Sequence, residues 1–221
     1  MTENILEYIA RFLALLLVLP IHEFAHGLIA VKSGDITPKL CGRYTLNPLA
    51  HFDALGLCCF MFAGFGWAKP MPVNPNNFNH YKRGCFGVAI AGVVANFLLA
   101  FIAYPLLILV LLYVPAFGYY TDVLFLTILN VYSFSLAFFV FNLLPLYPLD
   151  GFRVVDVFSK KRSKIYWFLR NYGTYILYFF FALSIFADIT GIYTIDILGN
   201  FISFVSGYLS IPITMFWGLI F

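Results

Sequence analysis

The sequence predicts an all-α polytopic membrane protein, a bundle of five to six transmembrane helices with a re-entrant extended or β segment near residues 54–75. Three observations carry this prediction. The 221 residues are 62% hydrophobic and 10% charged, with a mean hydropathy of +0.91, far more apolar than a soluble domain. Five apolar runs reach the ~20 residues that a spanning helix needs. Lys and Arg gather in the loops on one side of those runs.

The first run covers 5–31. Its 12–21 stretch has the length of a signal-peptide core, but Glu3 and Glu7 offset Arg11. It also ends in His22-Glu23 instead of a small-residue cleavage site, so a retained transmembrane helix is expected. A shorter, Gly-rich apolar stretch follows at 54–67. The next eight residues, Ala68-Lys69-Pro70-Met71-Pro72-Val73-Asn74-Pro75, cannot continue a helix. The remaining clear spans are 86–114, 122–146, 166–187 and 197–219.

Charge sets the topology. Arg153, Lys160, Lys161, Arg162 and Lys164, between the third and fourth clear spans, and Arg170 at the start of the fourth mark a cytoplasmic loop. The stretches 115–121 and 188–196 carry no Lys or Arg and are expected outside. Counting backwards, Lys82 and Arg83 start the second clear span from the cytoplasm. Lys32, Lys39 and Arg43 put the loop after the first span there too. Both ends of 54–67 are then cytoplasmic, which only a re-entrant segment satisfies. Such backbone survives at membrane depth only against protein or a wet cavity.

The formal charge of +3 is small and scattered, so no nucleic-acid partner is expected, while 27 Phe and 15 Tyr suit a lipid bilayer. Cys41, Cys58, Cys59 and Cys85 show no C-x-x-C spacing and read as small apolar residues in a reduced setting.

His22-Glu23-Phe24-Ala25-His26 is an H-E-x-x-H pattern inside an apolar helix. Residues four apart share a helical face, so both imidazoles can meet one tetrahedral zinc. Glu23 lies beside that face, where it can take a proton from an attacking water. Haem ligation and a buried polar network are the alternatives. Three ionisable residues in a membrane helix are costly and point to function.

Zinc needs a third protein ligand and an open position. Asp150 is the candidate, because Pro145 and Pro148 break the preceding helix and let it turn inward; an interfacial helix cap is its competing role. The first span runs inward, which places His22 about 15 Å and His26 about 9 Å from Lys32 along the axis. The 122–146 span delivers Asp150 to the same side, where Gly92 and Asn96 also lie. Asn96 and Asn142 are candidate substrate or oxyanion contacts, with interhelical hydrogen bonds as the rival. His51, Asp53 and His80 read as interfacial, structural residues.

These stretches resemble the site-2 protease family, in the compact bacterial form without appended regulatory domains. The resemblance runs from His22 to Arg153 through HEFAHG, GDITP, TLNPLAHFDALG, GFGWAKPMPVNP, AGVVAN and NLLPLYPLDGFR. It implies one zinc per chain on His22, His26 and Asp150, with Glu23 activating water. It also implies that GWAKP forms a membrane-dipping strand or hairpin. Val93 and Ala54 stand where this family often has proline, and neither change removes a ligand or the base.

The implied protein is a single membrane-embedded metalloprotease domain over 1–221, with a catalytic core at 5–153 and C-terminal helices at 154–221. Its implied partner is a transmembrane protein substrate, and its implied place the bacterial plasma membrane. The competing class is a metal transporter or a metal-binding scaffold without proteolysis. Neither needs a base beside the metal, and 125–141 and 176–186 offer no ionisable relay.

Overall fold

The computed structural model describes residues 2–63, 66–115, 118–159 and 163–221. Lys160, Lys161 and Arg162 of the basic loop, and Gly64 and Phe65 of the expected re-entrant segment, lie outside the described residues. In chain order the α-helices are α1 (Thr2–Lys32), α2 (Thr37–Leu40), α3 (Pro48–His51), α4 (Ala54–Ala63), α5 (Tyr81–Tyr113), α6 (Tyr119–Asn142), α7 (Asp150–Phe158), α8 (Lys164–Thr190) and α9 (Ile197–Trp217). By length and composition α1, α5, α6, α8 and α9 can cross a membrane, which makes this a multi-pass membrane protein.

Helices α1, α5 and α6 form the packed centre. Ala14 and Val18 of α1 meet Ala103 of α5 and Val131 of α6, and Ala100 meets Leu136 and Ile213. Small residues let the backbones approach closely where no water drives the packing. Contacts on α1 run down the chain as those on α5 run up: His26 faces Val88, His22 faces Asn96, and Val18 faces Ala103. The two helices are therefore antiparallel, as the charge pattern requires. Helix α9 joins this core through Ile213 and through the Trp217 indole N–H, which donates to the Phe101 carbonyl at 2.9 Å. Helix α8 carries exposed aromatic residues such as Trp167, Tyr175, Tyr178 and Phe179, a surface suited to lipid.

The 54–75 segment differs from expectation. Its first arm is helix α4, and no strand occurs among the described residues. The physical reason is that Ala54–Ala63 is an uninterrupted apolar run without proline, and Asp53 starts the helix by accepting the Gly56 N–H at 2.9 Å. The second arm, from Gly66, is non-helical and extended because its prolines forbid a helix. Among the described residues its one β feature is an isolated antiparallel bridge between Phe52 and Ala68, beside which the Lys69 N–H donates to the His51 carbonyl at 2.8 Å. The chain thus leaves and returns at one point. A Cβ on Gly66 would stand 2.0 Å from the Gly56 carbonyl oxygen, so the two arms touch through bare backbone. At the far end Phe60 packs edge-on against Phe134 and Phe138 of α6.

Helix α6 ends at Asn142, four residues before the expected limit, because Pro145 and Pro148 follow. His51 is fully buried with its ring Nε2 2.8 Å from the Thr45 carbonyl, so both His51 and Asp53 brace local backbone.

A second brace holds the extended arm to the end of α1. Asp35 is fully buried, and its carboxylate accepts from the Thr37 N–H and hydroxyl, the Asn74 N–H at 2.7 Å and the Asn77 amide at 2.9 Å. Burial alone raises its pKa, and these donors reverse the effect, leaving the carboxyl below its ordinary value.

Candidate metal centre

Helix geometry and one sharp turn build the site. His22 and His26 project from the same face of α1, with their Nε2 atoms 3.0 Å apart and their rings edge to face. Asp150 comes from the far end of the chain. The proline-rich turn after α6 places it as the first residue of α7, where its Oδ2 lies 3.3 Å from Nε2 of His22 and 3.1 Å from Nε2 of His26. Asp150 therefore does begin a helix, but its carboxylate faces the imidazoles. All three residues are buried, and the three ligand atoms lie within 4.8 Å of one another.

The surroundings fix the proton positions. His26 Nδ1 sits 2.6 Å from the Val88 carbonyl, which can only accept, so Nδ1 carries the proton and Nε2 keeps its lone pair. His22 Nδ1 meets the amide of Asn96 at 3.0 Å. The amide nitrogen Nδ2 makes this contact, while Oδ1 is a buried acceptor with no partner; turning the amide over brings Oδ1 to accept an Nδ1 proton, the tautomer that leaves a lone pair on His22 Nε2. Asp150 Oδ2 is likewise buried with no hydrogen bond. With both imidazoles neutral and protonated on Nδ1, the two Nε2 atoms and Asp150 Oδ2 are the donor set of a tetrahedral N/O metal site with one open position, in a buried pocket.

Gly92 makes the approach of α5 feasible. A Cβ there would lie 2.5 Å from His22 Cε1 and 2.5 Å from His26 Nε2, so any side chain would push the imidazoles aside.

Glu23 stands outside the ligand set but in the same cavity, of about 110 Å³, together with His22, His26, Asn142 and Asp150. Its Oε2 accepts the Met71 N–H at 2.6 Å. Asn142 lines this cavity as well, with its amide donating to the Phe138 carbonyl one turn back at 3.1 Å. Asn96 has a different position. It is fully buried behind His22 and makes the interhelical hydrogen bond, not a contact with the cavity.

Two contributors were missed in the sequence. Met71 acts through its backbone N–H, which no side-chain pattern reveals. Arg153, one turn after Asp150 on α7, places Nη1 3.5 Å from Asp150 Oδ1 and half-exposes its guanidinium to the cavity. The i,i+3 spacing from Asp150 was a signal available for it.

Comparison with known proteins finds a curated relative named "Putative zinc metalloprotease YwhC", from Bacillus subtilis (strain 168), 42% identical over 148 residues. The match spans 65% of this chain and 66% of that protein, a little under two thirds of the relative's length. No family model and no solved structure matches. The H-E-x-x-H helix, the Asp150 turn and this relative together support the resemblance of the chain to the site-2 protease family.

Proposed function

We propose that the protein is an intramembrane zinc metalloendopeptidase. It hydrolyses a peptide bond in or near the transmembrane segment of a membrane-protein substrate, on the cytoplasmic side of the bacterial plasma membrane. The observation that carries this reading is Glu23. A scaffold that merely holds a metal needs His22, His26 and Asp150; a further acid–base group in the same cavity has a task only if a proton moves.

His22, His26 and Asp150 would hold one zinc per chain. When bound, zinc supplies a Lewis acid that lowers the pKa of water and polarises a carbonyl oxygen. Met71 holds Oε2 of Glu23, which leaves Oε1 to take the proton of the attacking water and return it to the leaving amine nitrogen. Asn142, on the cavity wall, is suited to steady the substrate carbonyl.

A helix shields its own amides, so the substrate must be extended where it is cut. The arm from Gly66 to Asn74 supports this as a re-entrant edge along the cavity. Pro70 and Pro72 carry no N–H, while Met71 donates to Glu23 and Lys69 to His51. This edge accepts hydrogen bonds from a substrate strand but offers few in return, which leaves the scissile carbonyl free. The cytoplasmic assignment rests on Lys32, Lys82, Arg83 and Arg153 at this end of the bundle. All the groups named lie within a catalytic core at 5–153, and the helices of 154–221 complete the single membrane domain.

Glu23→Gln tests the reading. The variant should keep one zinc per chain, because position 23 supplies no ligand, while cleavage of a transmembrane substrate falls roughly 10²–10⁴-fold. Near-native cleavage by the purified variant would remove Glu23 as the base. Topology is checked separately in a chain lacking the native cysteines: single cysteines at Lys39 and Asn79 should both react only from the cytoplasmic side. Labelling from opposite sides would make 54–75 a full span.

A further inference from the structure

A second cavity, of about 480 Å³, opens beside the metal centre and shares two walls with it, Met71 and Arg153. Its size is that of clefts which enclose small ligands or several side chains, about 300–1,000 Å³. The floor is apolar, formed by Val73 and Phe78 of the extended arm, Val88 of α5 and Val157 of α7. Lys82, Arg153 and Asp156 bring charge of both signs to its lining. The Val88 carbonyl that orients His26 belongs to the residue lining this floor, so the cavity lies directly behind the imidazole pair.

We propose that this cavity is a substrate subsite, receiving the residues on the cytoplasmic side of the scissile bond with an apolar side chain inserted against the floor. The inference rests on the protease reading above. Three observations fix the occupant. The cavity adjoins the metal pocket, with Met71 and Arg153 lining both, so it is the space next in line for a chain that extends past Glu23. The arm that walls it is itself non-helical from Met71 to Asn74, and an extended chain alongside advances about 3.3 Å per residue. The subsite therefore takes roughly the first four residues beyond the cut. Finally, it sits at the α5 start next to Lys82, the end that the charge pattern assigns to the cytoplasm.

Cys85 lines this cavity and gives a native probe for it. The test uses the full chain with Glu23→Gln to retain substrate, and with Cys41, Cys58 and Cys59 changed to Ser. A transmembrane substrate that the native chain cleaves is prepared with single cysteines on either side of the cut, and the pairs are oxidised. Disulfides should form between Cys85 and positions about two to four residues to the cytoplasmic side, and at none on the membrane side. In the chain carrying only Glu23→Gln, substrate should abolish most alkylation of Cys85 and leave that of exposed Cys41 unchanged. If the native chain cleaves the substrate but Cys85 neither cross-links nor is shielded, or cross-links only to the membrane side, the subsite is wrong and the protease reading stands. If the native chain cleaves no transmembrane substrate, the protease reading falls and the subsite with it.

Discussion

Two aspartates are buried near the C-terminal part of α1, and they solve opposite problems. Asp35 is saturated: four donors from Thr37, Asn74 and Asn77 converge on its two oxygens. Asp150 is half starved: Arg153 pairs with its Oδ1, but its Oδ2 faces the two imidazole Nε2 atoms and has no hydrogen bond among the described residues. A buried carboxylate with every lone pair matched is a structural tie. One left facing other lone pairs is stable only if a cation completes it. The contrast separates fold from chemistry without reference to any motif.

The sharpest way to break this contrast is to neutralise each aspartate in turn. Asp150→Asn should lose nearly all its zinc by metal analysis, and cleavage should drop to background, since a neutral amide is a poor ligand. Asp35→Asn should keep one zinc per chain. Equal zinc content in the two variants would erase the distinction. A middle effect belongs to Asn96, which touches His22 but not the metal position. Asn96→Leu should weaken zinc affinity roughly 10–100-fold in competition with a chelator, as loss of a partner behind a ligand does. Unchanged affinity would make the contact purely interhelical packing.

The smallest effect concerns stability. Asp35→Asn should cost about 1–3 kcal/mol in detergent-solubilised protein, from donors left facing a poorer acceptor. The sign of its pH dependence follows from the depressed pKa. The stabilisation is fully present above the unfolded value, near 3.9, and is lost as pH falls through the lower folded value. The native chain should therefore lose thermal stability as pH drops below about 4, and the Asp35→Asn variant should lose less of it. Parallel pH profiles for the two would show that Asp35 is not the group responsible.

The sequence made the metal centre legible because its signals are local or strongly biased. His22 and His26 are four apart on one helix, and the prolines before Asp150 announce a break in an apolar span. The long spans were equally readable from length and hydropathy, with ends shifted by a few residues. What escaped depended on distant backbone. The donors to Asp35 come from Asn74 and Asn77, and Glu23 is held by the N–H of Met71, a group every residue but proline possesses. Helix α4 escaped for another reason. A short apolar run has no polar face to show a period, so strand and helix look alike until the prolines after it are assigned to a separate arm. Asn96 stands out in the sequence as an amide in an apolar helix, but its partner is set by Gly92 letting α5 close on the imidazoles.

The closed excursion from Phe52 to Ala68 also has a consequence for biogenesis. Phe60, at its inner end, rests on Phe134 and Phe138 of a helix that the ribosome makes long afterwards. Until α6 enters the bilayer, α4 lacks this aromatic bed, and the Phe52–Ala68 bridge and the touching glycines are left to hold its two arms together. The seating of α4 thus waits for α6, and a nascent chain stopped before α6 carries the H-E-x-x-H helix without either Asp150 or a seated 54–75 segment. On the protease reading proposed above, the order of synthesis itself withholds the third ligand, and no complete site exists until α7 has followed α6.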